Sequence, residues 1–185
     1  MTLVSELGVP ACTVEKPIAT EVRDWRQLCA LQEQTRTKFA VCHQFRWYPA
    51  LVRCQEAVRS GRLGSVILLD LSCGMNVSGQ GTHILNYAMS LNGDARVKSV
   101  YGTATGPGEL EARHSGPETT AAYLVFENGV RGLWTTGYVS PKAGDPATDY
   151  QHVRVAAYCT QGRVNWEEFG RWEIVLPSRD RGGPV

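Results

Sequence analysis

The chain has 185 residues, which is enough for one domain or for a small domain with a piece of another. Hydrophobic residues make up 43% and charged residues 20%, which is ordinary for a globular protein and excludes a disordered one. Nineteen Lys and Arg residues against eighteen Asp and Glu residues leave a net charge of +1 without a basic stripe, so we expect no nucleic-acid partner.

The sequence also argues against a membrane or secreted protein, so we expect a cytoplasmic one. No apolar stretch approaches the roughly 20 residues that a spanning helix needs, and residues 1–10 lack the basic region of a secretion signal. The cysteines are widely spaced and contain no C-x-x-C pair, which predicts neither a metal site nor a disulfide scaffold. We interpret them as reduced, mostly buried thiols.

The first part of the chain predicts alternating helices and strands. Residues 3–7 are typical of a helix and residues 11–14 of a short strand. Thr20 is expected to cap a helix of about 15 residues, and residues 38–45 form the next predicted strand. Helix, strand, helix, strand is the order expected for a parallel α/β sheet.

From Pro49 onward the pattern is that of an α+β domain. Pro49 begins a predicted helix that ends at Gly61 and Gly64, and a second helix is expected from about Thr82 to Leu91. Between and after them we predict strands at residues 65–73, 97–103, 119–126, 130–139, 152–159 and 172–176. Asn128-Gly129 predicts a tight hairpin turn in which both residues have positive φ. Consecutive strands indicate a mainly antiparallel sheet.

Lys16 stands in the motif Glu15-Lys16-Pro17, directly after the first predicted strand. A lysine at the carboxyl end of a parallel strand lies beside the crevice where such sheets bind ligands. Its ammonium group can stabilise charge on a substrate oxygen during hydride transfer. The alternative is a surface lysine before a turn.

His83 lies in a glycine-rich entry to the second predicted helix, within the segment GQGTHILN at residues 79–86. Histidine is suited to moving a hydroxyl proton near neutral pH. The alternative is a helix-start histidine that is bonded to a neighbouring loop.

Three segments together resemble the Gfo/Idh/MocA family, which includes glucose–fructose oxidoreductase and inositol dehydrogenase. They are VEKPIAT at residues 14–20, HQFRWYPALVRCQEAVRSGRLGSVILLDL at residues 43–71 and GQGTHILNYAMSLNG at residues 79–93. The similarity runs from about residue 1 to about residue 176. It implies an α/β remnant of a Rossmann-type dinucleotide-binding domain at residues 1–45. An α+β domain with a large, mainly antiparallel open sheet would follow at residues 46–185 for substrate binding and oligomerisation.

The resemblance also implies roles for particular residues. Lys16 and His83 match the family's catalytic lysine and histidine, and Glu15, Lys16 and Pro17 match its cofactor-binding motif. Arg46 and Asn86 are implied to bind substrate, and no metal site is implied. Three features depart from the family pattern: Gly79 and Asn86 each stand where the family has an aspartate, and the G-x-G-x-x-G turn is absent.

By this resemblance the chain is part of an NAD(P)-dependent oxidoreductase that transfers a hydride to or from a carbinol carbon of a sugar or polyol. NAD or NADP would bind the complete enzyme, whereas this chain, without the glycine turn, is expected to bind it only in the millimolar range or not at all. A homodimer or homotetramer is expected through the sheet face. Two alternatives stay open: a non-catalytic oligomerisation or ligand-binding module, and redox-neutral elimination on a sugar by the same Lys/His pair.

Overall fold

The computed structural model describes residues 1–19, 21–106, 116–140 and 152–176. The chain forms two compact units, Met1–Gln44 and Phe45–Val185, against a predicted division after residue 45. The interpretation of these units as a Rossmann remnant and a substrate-binding domain stays a prediction.

The first unit contains α1 (Thr2–Glu6), β1 (Ala11–Val14), α2 (Val22–Gln34) and β2 (Lys38–Val41). β1 and β2 pair in parallel, so the predicted order of helices and strands is present here. β2 ends at Val41 rather than at residue 45, because the chain turns into a 3-10 helix at Gln44–Trp47. α2 begins after Glu21, and the predicted cap Thr20 lies outside the described residues.

In its described residues, the second unit contains two α-helices and seven strands: α3 (Pro49–Arg59), β3 (Val66–Cys73), α4 (Thr82–Leu91), β4 (Val97–Thr105), β5 (Thr119–Phe126), β6 (Arg131–Gly137), β7 (Val153–Cys159), β8 (Arg163–Glu167) and β9 (Trp172–Val175). The strands form one sheet in the order β4-β5-β6-β3-β7-β8-β9. Of the pairs between these strands, β3–β6 is parallel and the others are antiparallel. The predicted mainly antiparallel sheet is confirmed.

One strand was not predicted, and one turn differs from its prediction. β8 alternates polar and apolar residues, with Val164 and Trp166 buried, which is the pattern of a half-buried strand. At the hairpin between β5 and β6, Gly129 has φ of +88° but Asn128 does not have positive φ. The reason is a three-residue loop, closed by a bond from Phe126 N–H to the Val130 carbonyl at 2.9 Å.

The core lies between the two α-helices and one face of the sheet. α4 packs against β3 and β7, while α3 packs against β8 and β9. Leu69, Leu71 and Cys73 alternate along β3 on this helix-covered face and are 0% exposed. The cysteines follow the same division between units. Cys54, Cys73 and Cys159 are buried in the second unit, but those of the first unit are partly or fully exposed, so "mostly buried" was wrong for Cys12, Cys29 and Cys42.

The opposite face of the sheet, here called the open face, carries both apolar and charged side chains. Tyr101, Tyr123 and Leu133 are register partners on β4, β5 and β6 and are 66%, 39% and 44% exposed. At the centre of the sheet the face becomes charged, where Arg154 Nη2 lies 2.6 Å from an Asp70 carboxylate oxygen. An exposed apolar row on this face therefore crosses β4–β6. Within the described ranges, the helices are all too short or too polar to cross a bilayer.

Candidate active site

His83 occupies the first turn of α4 and is 7% exposed. A short π-helix, Val77–Gly81, leads directly into α4, and such widened turns are frequent at functional sites. The buried side chain of Asn76 caps this turn by accepting a hydrogen bond from the Gly79 N–H at 2.8 Å. The glycine-rich sequence before the histidine therefore forms an ordered, capped turn.

Gly79 stands in a tightly packed place beside the cap. A Cβ atom at residue 79 would lie 3.1 Å from the Met75 Cε atom and 3.2 Å from the Asn76 Oδ1 atom that makes the cap. An aspartate here would therefore require the Met75 and Asn76 side chains to shift by a few tenths of an ångström.

The imidazole of His83 contacts the hydroxyl of Tyr87 one helical turn later. The Nδ1 atom lies 3.3 Å from the Tyr87 oxygen, and either atom can donate, depending on the histidine tautomer. Because a phenol can both donate and accept, this contact is compatible with Nε2 either carrying a proton or accepting one. That is the property that an acid–base histidine requires.

An aromatic cluster holds Tyr87 in place. Its ring lies 5.7 Å from that of Trp166 on β8 and 6.5 Å from that of Phe45, in edge-to-face arrangements. Tyr87 and Trp166 are each 1% exposed. The partner of His83 is therefore fixed by the core itself.

The structure brings together the two predicted substrate-binding residues, Arg46 and Asn86. Arg46 Nη1 donates to the Asn86 side-chain oxygen at 3.2 Å, and Arg46 Nη2 donates to both Asp94 carboxylate oxygens at 2.7 and 2.6 Å. The Arg46 backbone carbonyl also accepts a bond from the Gln55 side chain at 2.9 Å. These bonds favour a bracing role between the 3-10 helix and α4, and substrate contact by Arg46 and Asn86 stays a prediction.

The remaining predicted residues belong to the first unit. Glu15, Lys16 and Pro17 directly follow β1, as predicted, with Lys16 half-buried and a cis peptide bond between Lys16 and Pro17. Glu15 faces Cys42, which directly follows β2. The pKa of the Cys42 thiol is raised by loss of water and then by the nearby Glu15 carboxylate. Cofactor contact by this motif stays a prediction.

Glu168 is a buried titratable group that the sequence reading missed. It is 5% exposed, its Oε2 atom has no hydrogen-bond partner among the described residues, and burial raises the pKa of its carboxyl to about 7. A signal was present in the sequence, because Val164, Trp166 and Glu168 are spaced by two residues and so belong to one face of a strand. In the described part of the chain, no group of three or more His, Cys, Asp or Glu residues is placed to hold a metal ion.

Comparison with known proteins identifies the fold. The chain is similar to a D-apiose dehydrogenase from Paraburkholderia graminis, with 27% identity over 158 residues that cover 76% of this chain and 40% of that protein. It is similar in structure to the WlbA dehydrogenase from Bordetella pertussis in complex with NADH and UDP-GlcNAcA, at a TM-score of 0.74 and 17% identity over 96% of this chain and 58% of that one. An inositol dehydrogenase homolog from Azotobacter vinelandii, complexed with NADH and myo-inositol, gives a TM-score of 0.75 and 12% identity over 98% of this chain and 50% of that one.

The fold is that of the Gfo/Idh/MocA oxidoreductases. This confirms the resemblance that the motifs predicted, although no family model matches the chain. The chain spans only 40% to 58% of the length of these three relatives.

Proposed function

We propose that the chain is the histidine-bearing, substrate-binding part of an NAD-dependent oxidoreductase that acts on a carbinol carbon of a sugar or polyol. The observation that supports this most directly is the buried His83 with its Nδ1 atom on the Tyr87 hydroxyl. It lies in a fold shared with an inositol dehydrogenase homolog that binds NADH and myo-inositol.

In this proposal His83 Nε2 takes the proton of the substrate hydroxyl during oxidation and returns it during reduction. For Nε2 to accept this proton, the neutral ring must carry its own proton on Nδ1, which donates to the Tyr87 oxygen. That hydrogen bond becomes stronger when Nε2 is protonated and so stabilises the imidazolium. Lys16, in the first unit, is the residue that the resemblance assigns to stabilising charge on a substrate oxygen. The nicotinamide, when bound, accepts or supplies the hydride.

The described residues do not provide a cradle for the dinucleotide pyrophosphate. Such a cradle needs a glycine turn between a strand and a helix whose first amides face the phosphates. Gly81, at the start of α4, serves packing instead, because a Cβ there would lie 3.0 Å from Trp134 and Val77 side-chain atoms. We therefore propose only nicotinamide contacts, through Lys16 and its neighbours. The parallel β1–β2 pair would be the end of a Rossmann-type sheet.

The experiment is turnover in an enzyme that contains this chain and a dinucleotide-binding unit. With D-apiose and myo-inositol as trial substrates, we expect His83→Ala and Lys16→Ala each to lower kcat by about 100-fold or more. The matched control is His43→Ala, a histidine of the first unit that has no role in the proposal. If His83→Ala leaves kcat within about threefold of wild type, the acid–base role is wrong.

Cofactor binding tests the second part of the proposal. Calorimetry of NADH with the 185-residue chain should give a dissociation constant in the millimolar range, or no heat, because the phosphate contacts are absent. A micromolar value would show that a dinucleotide site exists where none is proposed.

A second candidate function, an oligomerisation module, is favoured by the open face. Tyr101, Tyr123 and Leu133 present a row of exposed apolar groups on adjacent strands, which is typical of an interface. We propose a symmetric homodimer or homotetramer through this row. Tyr123→Lys should convert the assembly to monomers in analytical ultracentrifugation, whereas Leu7→Lys, at a residue 71% exposed in the first unit, should not. A wild-type monomer at high concentration contradicts this candidate.

A further inference from the structure

Glu168 is a buried carboxyl group that directly follows β8. Its backbone N–H extends the β7–β8 ladder by one bond, donating to the Val153 carbonyl at 2.9 Å. The side chain is 5% exposed, and the Oε2 atom makes no hydrogen bond within the described part of the chain. Native proteins rarely leave a buried carboxyl oxygen without a partner, so such a group is a candidate for binding a ligand.

The topology places Glu168 at the same level of the sheet as His83. β8 runs in the same direction as β3, since each is antiparallel to β7. α4 runs back along the sheet from the end of β3, and its far end is fixed by a bond between Asn92 and Asn128 side chains at 2.8 Å. The rings of Tyr87 and Trp166 touch at a centroid distance of 5.7 Å and so mark a common level of helix and strand.

From that contact, both residues are displaced toward the same end of the sheet. His83 lies four residues back along α4, about 6 Å at 1.5 Å per residue. Glu168 lies two residues forward along β8, about 7 Å at 3.3 Å per residue, on the same strand face as Trp166. Glu168 and His83 therefore lie toward the same end of the helix-covered face.

Other polar groups at this end also lack partners. Thr136 pairs in register with Cys73, and its Oγ1 atom is buried and unsatisfied, as is the Oγ atom of Ser140 just beyond β6. The titratable group that the structure places next to Glu168 is the Cys73 thiol at the end of β3. The Glu168 carboxylate in turn contributes to raising the pKa of Cys73, after the larger effect of burial. Unsatisfied hydroxyl and carboxyl oxygens around a histidine are what a ligand with several hydroxyl groups would satisfy.

We propose that Glu168 is a specificity-determining residue of the candidate site, whose carboxyl binds a hydroxyl group of the substrate next to the reacting carbinol. Gly79 supplies no carboxyl group to this site, and Glu168, which directly follows β8, would supply one. This inference rests on the proposed function and narrows its substrate class to uncharged polyols and sugars. A substrate carboxylate in the same place would be repelled by Glu168 when ionised.

The test measures ligand binding to the full chain by saturation-transfer NMR and needs no turnover. The probes are D-apiose and myo-inositol as neutral ligands and D-glucuronate as the charged one, at pH 8. We expect the wild type to bind a neutral probe and to bind D-glucuronate at least about tenfold more weakly. Glu168→Gln should improve D-glucuronate binding about tenfold, while Glu168→Leu should weaken neutral-probe binding by about tenfold.

Glu167→Gln is the matched control, because Glu167 is the neighbouring carboxylate and points to the open face, where it accepts a bond from Asn165 at 3.3 Å. Glu167→Gln should not change the affinity for the neutral probes or for D-glucuronate. For the wild type, the difference in affinity between the neutral probes and D-glucuronate should be smaller at pH 5.5 than at pH 8. For Glu168→Gln, this difference should be the same at both pH values. A structural role for Glu168 would not produce this pH profile.

Unchanged D-glucuronate binding in Glu168→Gln would overturn the proposal, as would wild-type binding of none of the neutral probes. If Glu168→Leu fails to fold, the Gln variant and its pH profile decide. Loss of turnover in His83→Ala with normal Glu168-dependent binding would support both the site and the proposed chemistry. Normal turnover in His83→Ala, with Glu168-dependent binding still present, would reject the proposed acid–base chemistry of His83 but would still support the binding site.

Discussion

The two proposed catalytic residues stand in surroundings that differ sharply in packing. His83 belongs to a unit in which most residues of β3, α4 and β7 are buried, and its hydroxyl partner Tyr87 is 1% exposed. In the first unit, Thr37 is the one described residue that is fully buried, and Leu3 and Trp25 remain 66% and 52% exposed. The histidine side of the proposed site is therefore preorganised by a core, whereas the lysine side is not.

The difference shows where the stability of the chain resides. The first unit has 44 residues, and its described part contains no fully buried apolar side chain, so it has little hydrophobic core of its own. The buried core cluster lies in the seven-stranded unit. We therefore expect most of the stability of the chain to come from the second unit.

Truncation of one side chain in each unit should show the largest difference between the two units in the free energy of unfolding that is lost. Leu71→Ala removes a side chain that is 0% exposed at the centre of β3, and we expect it to lower the free energy of unfolding by about 3 kcal/mol. The matched change in the first unit, Leu7→Ala, removes a side chain that is 71% exposed and should cost less than about 0.5 kcal/mol. Urea unfolding followed by circular dichroism measures both. Equal losses would mean that the first unit has a core of its own.

The pH dependence of stability should report Glu168. Burial raises the pKa of its carboxyl from 4.5 to about 7, so between these values the folded chain keeps a proton that the unfolded chain releases. Stability should therefore fall as the pH rises through this window, by about 2 kcal/mol between pH 5 and pH 8. Glu168→Gln should lose this slope and Glu167→Gln should keep it, as measured by urea unfolding at each pH. A wild-type slope that survives in Glu168→Gln would assign the titration to another group.

The sequence predicted the sheet and the helices well because their signals are local. Alternation along β3 and β5, Pro49 at a helix start and the glycines after α3 all act within a few residues. The candidate site was only partly predictable, because it depends on contacts between residues that are far apart in the sequence. The proposed role of Glu168 depends on β8 lying two strands from β3 and on the ring contact between Tyr87 and Trp166, and no local pattern encodes that proximity.

For Arg46, the sequence predicted a functional residue but not the contacts that it makes in the structure. The family resemblance implied substrate contact, but the guanidinium is bonded to Asn86 and Asp94. This arrangement depends on Asp94, which has φ of +57° after the end of α4. Sequence reasoning could find both residues, but it could not find the bond between them.

Removal of the Tyr87 hydroxyl tests whether His83 acts as the acid–base residue with Tyr87 as its hydrogen-bond partner. Tyr87→Phe keeps the ring contacts with Trp166 and Phe45 but deletes the oxygen that lies 3.3 Å from the His83 Nδ1 atom. We expect kcat of the complete enzyme to fall about fivefold, the effect of losing one hydrogen bond of about 1 kcal/mol to the imidazolium. The pH–rate profile should shift as well, because the bond no longer stabilises the protonated ring. An unchanged profile would remove Tyr87 from the proposed mechanism.

The smallest effect is expected at the ion pair between Arg46 and Asp94. Although the Arg46 nitrogen lies 2.6 Å from the carboxylate, the Asp94 side chain is 56% exposed, so water and salt screen the pair. Asp94→Asn is the appropriate change, since asparagine tolerates the positive φ at this position and keeps a hydrogen-bond acceptor. We expect it to lower the free energy of unfolding by about 0.5 kcal/mol, with the difference vanishing in high salt.

The same variant separates the two roles of Arg46. If Arg46 mainly braces α4, Asp94→Asn and Arg46→Ala should both change stability, and KM in the complete enzyme should stay within about twofold of wild type. If Arg46 binds substrate, as the resemblance implied, Arg46→Ala should raise KM with little change in kcat, and Asp94→Asn should not. Steady-state kinetics of Arg46→Ala and Asp94→Asn therefore decides whether Arg46 braces α4 or binds substrate, which the Arg46–Asn86 hydrogen bond alone does not show.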